Sequence, residues 1–297
     1  MNKKLKIGYF ADGPWSHNAF EKIVNDEKFD IRFIVPRNDT QDSTLFNFSK
    51  KHNIDYFKLK NVNSITSINK ISDYDCDILV SMSFNQIFRK DIINLTRIGI
   101  INCHAGKLPF YRGRNILNWV LINDEKEFGI TVHFVDEGID TGDIILQETF
   151  SITDKDNYST LLDISYSSCA NILYKSLVQV FEGQSKRIVQ KSIHPVGFYC
   201  GIRGEGDETI NWNNTSRDIF NFIRSISKPG PIARTHNGIK EITINKSIYI
   251  KDAPNYIGTV GQVLSKTDKG FLVKTKDSFI EINEIEGVLR VGDKLGI

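Results

Sequence analysis

The sequence lacks the features that mark several large classes of protein. Its 297 residues contain four cysteines (Cys76, Cys103, Cys169 and Cys200) and no Cys-x-x-Cys pair, which argues against a disulfide framework and against a zinc site. No apolar run approaches the roughly 18 residues of a membrane span, and the run near the first residue is too short for a signal peptide. We therefore expect reduced thiols and a cytoplasmic protein with no membrane partner.

An excess of charge of one sign is also missing. The formal net charge is +2, from 38 Lys and Arg residues against 36 Asp and Glu residues, and no block of five or six like charges occurs. Composition therefore gives no sign of a nucleic-acid partner. With 40% hydrophobic and 25% charged residues, the chain has the composition of a globular protein. Its length allows one large domain and a smaller one.

Strand-like and helix-like segments alternate over the first part of the chain. The strand-like segments include "KLKIGYFA", "FDIRFIVP", "DILVSMSF", "GITVHFV" and "DIILQETF". Helical segments such as "STLFNFSKKH" and "NILNWVLIND" lie between them, and Ser16 is placed as the N-cap of the first helix. A longer helix is predicted from about Tyr158 to Phe181, ending at Gly183. The alternation predicts an α/β fold with a mostly parallel sheet and helices on both faces.

The pattern changes in the last third of the chain. Gly-rich connecting chain is followed by "TSRDIFNFIRSI", a short helix in which Thr215 and Asp218 have the spacing of a capping box. From Ile239 onward, short strand-like segments separated by turns predict a small β-barrel or sheet. We expect an N-terminal catalytic domain at residues 1–182, a linker at 183–207 and a smaller β-rich C-terminal domain at 208–297.

Three polar residues at the ends of predicted strands suggest an active site. Side chains alternate along a strand, so Asn102 and His104 share one face and Cys103 points the other way. Asp140 lies in "VDEGIDTGDI", directly after another strand. Loops at the carboxyl ends of strands line the ligand crevice of an open α/β sheet, so these side chains could meet there. The alternative is that each residue only ties down the loop that follows its strand.

Together, an amide, an imidazole and a carboxylate suit acyl transfer to an amine. Asn102 can hold a developing oxyanion, His104 can move protons near neutral pH, and Asp140 can orient the imidazole and stabilise its cation. No Ser or Cys is placed for a covalent step, which favours direct attack by an amine on a carrier-bound acyl group. A metal site built from His133, His104 and Cys103 is not expected, because Cys103 and His104 face opposite ways.

Two segments around these residues resemble the 10-formyltetrahydrofolate-dependent formyltransferases. They are "IINCHAGKLPFYRGRNILNWVLIND" and "FGITVHFVDEGIDTGDIILQ". The family pattern is N-x-H, an L-P-x-x-R-G loop and D-x-G-x-D-T-G-D, and each element appears here in order, within about residues 75 to 150. The resemblance implies a Rossmann-like N-terminal domain, catalytic roles for Asn102, His104 and Asp140, and 10-formyltetrahydrofolate as the formyl donor, without a metal.

The resemblance also implies where the folate binds. In the family, two segments hold the pterin largely through backbone groups. The corresponding residues here are Phe84, Asn85, Gln86, Ile87, Val135, Asp136, Glu137, Gly138 and Ile139.

Among the branches of this family, the sugar N-formyltransferases are the most similar. The segment "PFYRGRNILNWVL" resembles that branch, and "GIRGEGDETINW" resembles the linker of both that branch and the tRNA branch. The expected acceptor is therefore the amine of a nucleotide-linked aminodeoxysugar, used for a surface polysaccharide of the O-antigen type. The first turn, "FADGPWSHNAF", is not the G-x-G-x-x-G fingerprint, so an NAD enzyme is not expected.

Candidate contacts to this acceptor come from a helix N-terminus, which favours anions, and from arginines, whose forked guanidinium groups fit phosphates. The alternatives are a capped helix with Trp15 in the core, and loop arginines exposed to solvent. The candidates are Asp12, Trp15, Ser16, His17, Lys107, Tyr111, Arg112, Gly113 and Arg114.

Two rival functions stay open at this stage. One is methionyl-tRNA formylation, although residues 208–297 contain many acidic residues and show no basic tRNA footprint. The other is a non-catalytic binding protein on the same fold, against which the complete Asn, His and Asp set argues. The sequence leaves undetermined which nucleotide and which sugar carry the amine. The C-terminal strands are compatible with a homodimer surface, a second ligand site or a cap over the crevice.

Overall fold

A seven-stranded sheet organises the N-terminal part of the computed structural model, which describes residues 4–296. The first eight strands, in chain order, are β1 (Leu5–Ala11), β2 (Phe29–Val35), β3 (Asp55–Tyr56), β4 (Ile78–Met82), β5 (Ile100–His104), β6 (Arg112–Gly113), β7 (Glu127–Phe134) and β8 (Ile144–Ser151). The strand order is β3-β2-β1-β4-β5-β7-β8. Strands β1 to β5 pair in parallel, and β7 is antiparallel to β5. The prediction of a mostly parallel sheet is confirmed.

Helices cover both faces of this sheet. They are α1 (Pro14–Val24), α2 (Ser43–His52), α3 (Ile65–Ser72), α4 (Lys90–Ile93), α6 (Tyr158–Phe181) and α7 (Gln190–Ile193). A further helix, α5 (Ile116–Ile122), packs with residues of the C-terminal part instead. Two consecutive residues of β1 point to opposite faces, as a strand requires. The hydroxyl of Tyr9 donates to the Ser16 carbonyl of α1, whereas Phe10 packs in a cluster with Ile71 of α3 and Ile92 of α4. Strand β1 is therefore buried between two helical layers.

Most predicted helices form where the sequence places them, but the start of α1 differs. The long helix spans Tyr158–Phe181 as predicted, and Gly183 follows it with a φ of 69°. Helix α1 begins at Pro14 with Gly13 as its N-cap, so the prediction of Ser16 as the N-cap is wrong. Proline fits the first helical position because its φ is preset and its missing N–H has no partner there. The helix therefore starts two residues before Ser16.

A five-stranded antiparallel sheet forms the core of the C-terminal part. Strand β9 (Tyr199–Cys200) and helix α8 (Ser216–Ser225) precede it, and its strands are β10 (Ala233–Asn237), β11 (Lys240–Ile248), β12 (Val263–Lys266), β13 (Phe271–Lys274) and β14 (Phe279–Glu286). The strand order is β10-β11-β14-β13-β12. Alternate residues such as Ile242 and Ile244 join Ile219 and Ile223 of α8 in one apolar cluster. The predicted β-rich region is confirmed, with β10 as a strand that lies before its predicted start.

Packing divides the chain into two compact units that are each discontinuous in sequence. The first unit takes the described residues up to Gly113, Gly129–Phe150 and Asp163–Cys200. The second takes Arg114–Phe128, Ser151–Leu162 and the described residues from Gly201 onward. The domain division at residues 182 and 208 stays a prediction. No helix within residues 4–296 combines the length and the apolar character needed to cross a membrane.

Two arginines of α8 explain why distant segments belong to the second unit. Arg224, 5% exposed, donates from Nη1 to the Thr153 carbonyl at 2.7 Å. Arg217 donates from Nε to the Asp124 carboxylate at 3.0 Å. Burial alone would raise the pKa of Asp124, but hydrogen bonds from Arg217 and Lys126 lower it to about 2. The segment that precedes β7 and the segment that follows β8 are thus both held to α8.

The capping box at the start of α8 gives a test of this fold. Thr215 accepts the Asp218 N–H at 3.1 Å, and the Asp218 carboxylate accepts the Thr215 N–H at 3.3 Å. Thr215→Ala should lower the free energy of unfolding by about 1 kcal/mol, because a helix N–H loses its partner. Urea denaturation followed by circular dichroism measures the change. Thr259→Ala, at an exposed loop position of the same unit, is the control and should change stability by less than about 0.5 kcal/mol. Equal losses in both variants would contradict the capping role.

Candidate active site

The candidate site lies in the first unit, at the carboxyl ends of neighbouring parallel strands. Strands β1, β4 and β5 are adjacent in the sheet and end at Ala11, Met82 and His104. The backbone N–H of Asp12 donates to the Met82 carbonyl at 3.2 Å, so the first two strand ends remain joined past their last sheet residues. Ligand crevices of open α/β sheets form at this edge. The site residues therefore stand where the topology favours a binding site.

Three consecutive residues of β5 alternate between two environments. The amide nitrogen of Asn102 lies 3.3 Å from Nε2 of His133 on β7, which pairs with it in register. The Nε2 of His104 lies 2.7 Å from the Tyr111 carbonyl. Between them, the buried Cys103 directs its thiol to the Cys169 carbonyl on α6. Asn102 and His104 thus share a face and Cys103 occupies the other, which confirms the predicted alternation.

Asp140 joins these two side chains from the loop between β7 and β8. Its Oδ2 accepts the Gly113 N–H at 2.8 Å and lies 3.7 Å from Nδ1 of His104. Its Oδ1 lies 3.4 Å from Nε2 of His133. The structure therefore brings Asn102, His104 and Asp140 together and adds His133 as a fourth member.

Electrostatics keep Asp140 in its charged form. Burial by itself would raise the pKa of this carboxyl. The charge of His104, a hydrogen bond and charge from His133 and the Gly113 N–H outweigh burial, and they hold the pKa of Asp140 well below its usual range. An ionised carboxylate therefore faces both imidazoles.

Hydrogen-bond partners assign a role to each imidazole nitrogen. Because its Nε2 faces the Tyr111 carbonyl oxygen, His104 donates there and presents Nδ1 to Asp140. His133 donates from Nδ1 to the Phe134 carbonyl at 2.7 Å. Its Nε2 then accepts from Asn102 when the ring is neutral, or donates to Asp140 when it is protonated. His133 thus orients the Asn102 amide.

Sequence reasoning considered His133 solely as a metal ligand and missed this contact. The signal that could have found it is pairing between β5 and β7, which sets Asn102 opposite His133. That pairing joins strands whose direction and register the sequence pattern does not specify. Among residues 4–296, no cluster of three or more His, Cys, Asp or Glu side chains is arranged to hold a metal ion.

A glycine makes room for the His104 hydrogen bond. A Cβ atom added to Gly106 would lie 2.4 Å from Nε2 of His104 and 2.5 Å from the Tyr111 carbonyl oxygen. Both distances are far below van der Waals contact, so a side chain at this position would displace the imidazole. The observed geometry of His104 and Tyr111 therefore requires glycine at position 106.

The predicted folate segments begin just after β4 and β7 and share one apolar cluster. Phe84 follows β4 and Val135 follows β7, and both pack against one apolar cluster that includes Phe10. The Val135 N–H donates to the Ile100 carbonyl of β5 at 2.8 Å, which anchors the start of its segment. The remaining residues of that segment, 136–139, are exposed.

Polar side chains in these segments are partly used by the fold. The Gln86 amide accepts the Val62 N–H and donates to the Leu59 carbonyl, each at 2.9 Å. Asp136 accepts from the Gly138 N–H at 3.1 Å, which shapes its own loop. Ile87 and Ile139 are 60% and 48% exposed. The segments therefore offer apolar surface and backbone groups more than free polar side chains.

The predicted acceptor contacts on the first turn are largely engaged within the protein. Ser16 is fully buried and donates to the Gly13 carbonyl at 2.9 Å. His17 contacts the Asp42 carboxylate at 2.8 Å. Asp12 accepts from Thr40 at 2.6 Å, and Trp15 packs edge-on against Tyr166. The acceptor role of these four residues stays a prediction.

The predicted acceptor contacts in the loop after β5 divide between the two units. Arg112 and Gly113 form β6, which pairs in parallel with β9. The Arg112 guanidinium donates to the Gln190 side chain, and Tyr111 adopts a φ of 54°. Gly129 brings its backbone close to Lys107, and an added Cβ would lie 2.7 Å from the Lys107 side chain. Arg114 is exposed and belongs to the second unit.

The contact at Gly106 yields a direct test of the site geometry. Gly106→Ala should displace the His104 ring and break its hydrogen bond to Tyr111, with a stability loss of about 1–3 kcal/mol from overpacking. Nitrogen NMR of the imidazole rings would report the change at Nε2 of His104, and thermal unfolding would report the stability. Gly204→Ala is the control, because nothing lies within 4 Å of an added Cβ there. Unchanged His104 resonances in the Gly106 variant would refute this geometry.

Comparison with known proteins identifies the family. Residues 21–193 match the family model described as formyl transferase, and residues 204–288 match the formyl transferase C-terminal domain. The methionyl-tRNA formyltransferase of Pelotomaculum thermopropionicum is 34% identical over 229 residues, which cover 77% of this chain and 71% of that protein.

Solved structures share the fold over nearly the whole chain. WlaRD, described as a sugar 3N-formyl transferase in the presence of dTDP and 5-N-formyl-THF, has a TM-score of 0.71 at 22% identity, over 97% of this chain and 100% of the other. The N-formyltransferase from Helicobacter canadensis, in complex with folinic acid and dTDP-3-aminofucose, has a TM-score of 0.68 at 22% identity, over 95% and 100%. Because the first family model matches more than half of the sequence, the chain belongs to the formyl transferase family and is an enzyme that transfers a formyl group.

Proposed function

We propose that this protein transfers a formyl group from 10-formyltetrahydrofolate to the amine of a nucleotide-linked aminodeoxysugar, for a surface polysaccharide. The observation that carries the chemistry is the convergence of Asn102, His104 and an ionised Asp140 at one strand edge. The choice of acceptor is supported by two structural neighbours with dTDP or a dTDP-amino sugar in their descriptions.

Each member of the trio has a separate task in this reaction. As the sugar amine forms a bond to the formyl carbon, negative charge gathers on the carbonyl oxygen. One N–H of Asn102 is directed at His133, and the other is available to that oxygen. Because Nε2 of His104 donates to the Tyr111 carbonyl, Nδ1 takes the proton that the attacking nitrogen loses. It delivers that proton to the folate nitrogen as the bond between this nitrogen and the formyl carbon breaks. The Asp140 carboxylate stabilises the imidazolium that exists between these two proton transfers.

The segments next to the trio fit a flat, partly apolar folate ring. Phe84 and the exposed Ile87 and Ile139 supply apolar surface. The Oδ1 atom of Asn85 is buried and has no hydrogen-bond partner among the described residues, which leaves an acceptor for a ligand N–H. These residues would hold the formyl donor, whose carbonyl carbon is the electrophile.

Methionyl-tRNA formylation is the second candidate, because the relative at 34% identity bears that name. Charge argues against it. Residues 208–297 contain 13 Lys and Arg residues and 10 Asp and Glu residues, a net charge of +3 by difference. Several of these cations are paired within the second unit, including Arg217 with Asp124 and Arg234 with Glu241. A net charge of this size offers little attraction to an RNA backbone.

Variants within β5 test the mechanism. Asn102→Ala should lower turnover by ~10²–10³, the usual cost of an oxyanion donor, and His104→Asn should lower it by ~10²–10⁴ through lost proton transfer. Asp140→Asn should also reduce turnover strongly, while all three variants remain folded. Mass spectrometry of a panel of nucleotide amino sugars incubated with 10-formyltetrahydrofolate measures transfer. Cys103→Ala, on the opposite face, is the control and should retain most activity. Loss of activity in this control with retention in His104→Asn would overturn the mechanism.

Ionic strength separates the two acceptor classes. A protein that neutralises many phosphates releases as many counterions, so its affinity falls steeply with salt. A nucleotide sugar carries two phosphates, and we expect its affinity to fall by less than about tenfold between 50 and 200 mM salt. Calorimetry with the nucleotide sugar and filter binding with methionyl-tRNA give the two slopes. Tight, strongly salt-dependent tRNA binding would favour the second candidate.

A further inference from the structure

A buried glutamine joins two loops of the candidate site. Gln190 is the first residue of α7 and is 2% exposed. Its Nε2 donates to the carbonyls of Asp140 and Gly142, each at 2.8 Å. Its Oε1 accepts from Nε and Nη2 of Arg112, at 3.2 and 2.7 Å. Both amide hydrogens and both lone pairs of the acceptor are used, so no part of the side-chain amide is idle.

The loop that Gln190 holds has a backbone that needs support. Asp140 adopts a φ of 53°, in the left-handed region that L-residues seldom occupy. Gly142 lies so close to β7 that an added Cβ would be 1.9 Å from the Phe134 carbonyl oxygen. Such conformations persist where surrounding contacts fix them. Gln190 fixes the carbonyl on each side of Thr141, and it therefore holds the turn from which the Asp140 carboxylate projects.

The chain at Arg112 is also linked to the Asp140 carboxylate. The backbone N–H of Arg112 donates to the Phe198 carbonyl at 3.1 Å. The next residue, Gly113, donates its N–H to Oδ2 of Asp140. The contacts form a closed ring. The Gln190 amide donates to the Asp140 carbonyl, and the Asp140 carboxylate accepts from the Gly113 N–H. The guanidinium of the neighbouring Arg112 then donates to Gln190 and completes the ring.

We propose that Gln190 is a positioning residue that fixes the Asp140 carboxylate beside His104 and links its position to that of Arg112. Its effect on turnover rests on the proposed formyl transfer, whereas its effect on the Asp140 loop does not. Two N–H groups of the Arg112 guanidinium donate to Gln190, so the first role of this side chain is to complete the ring. A ligand phosphate would contact its remaining N–H groups. A displacement of Arg112 would therefore be transmitted through Gln190 to Asp140.

Substitutions at Gln190 separate its two kinds of contact. Gln190→Leu removes the donors and the acceptor while keeping an apolar body in the buried position. Gln190→Glu keeps an acceptor for Arg112 but sets a carboxylate oxygen against the carbonyls of Asp140 and Gly142. Both variants should lower kcat by ~10²-fold, the cost of misplacing a catalytic group by about 1 Å. The KM for 10-formyltetrahydrofolate should change less than about threefold.

Two readouts distinguish positioning from general damage. In an Asp140→Asn background, Gln190→Leu should lower kcat less than about threefold further, because the group it positions is already gone. Hydrogen exchange of backbone amides in residues 138–143 should be faster in both Gln190 variants and in Arg112→Ala. The control is Asn221→Ala, a buried side-chain amide of the second unit that accepts from Arg224. It should leave both kcat and this exchange unchanged.

Each result bears on one claim. Unchanged exchange at residues 138–143, an undiminished kcat in Gln190→Glu, or an equal loss of kcat in the Asp140→Asn background would overturn the positioning role. Faster exchange in the Gln190 variants, with no formylation of any nucleotide amino sugar by the unsubstituted enzyme, would uphold the positioning role and reject the proposed acceptor.

Discussion

The arrangement of the site depends on one buried carboxylate. A charge removed from water must be met by hydrogen bonds and opposite charge, or the group becomes protonated. Asp140 stays ionised because His104, His133 and the Gly113 N–H surround it. These partners come from three separate stretches of chain, so the end of β5, strand β6 and strand β7 must all converge on the loop that carries Asp140. Chemistry at His104 and the geometry of the neighbouring loops are thus consequences of the same electrostatic requirement.

Convergence of these loops restricts the backbone. The restriction is visible at residues of the site with positive φ values or with no room for a side chain. Tyr111 and Asp140 both have positive φ values. Gly106 and Gly142 are positions where any Cβ would strike another chain segment. The buried amide of Gln190 supplies the hydrogen bonds that such turns cannot make within themselves. Local strain and buried polar contacts concentrate at functional sites because a precise arrangement of charged groups is worth more there than local stability.

Antiparallel pairing at one position of the sheet determines the fourth member of the site. Up to β5 the strands run in parallel, but β7 reverses direction beside it. That reversal places His133 opposite Asn102, where it can orient the amide. A parallel neighbour would have set a different residue there. The role of His133 therefore follows from strand direction, which residue types alone leave undecided.

Local patterns in the sequence determined much of the fold and the centre of the site. The period of two along β5 separates Asn102 and His104 from Cys103, and helical periodicity with the glycine at 183 sets the bounds of α6. The capping box at Thr215 is likewise a local signal. These features need contacts between residues that are near in sequence, so the sequence alone specifies them.

Long-range contacts decided the rest. The pairing of Asn102 with His133 and the assignment of Arg114–Phe128 to the second unit each join residues far apart in the chain. Gln190 shows this most clearly, because a glutamine in a short, otherwise ordinary segment has no local mark of function. Its importance arises when folding brings it within hydrogen-bond distance of Asp140, Gly142 and Arg112. Tertiary structure alone supplies such partners, since a hydrogen bond depends on distance and direction in space rather than on separation along the chain.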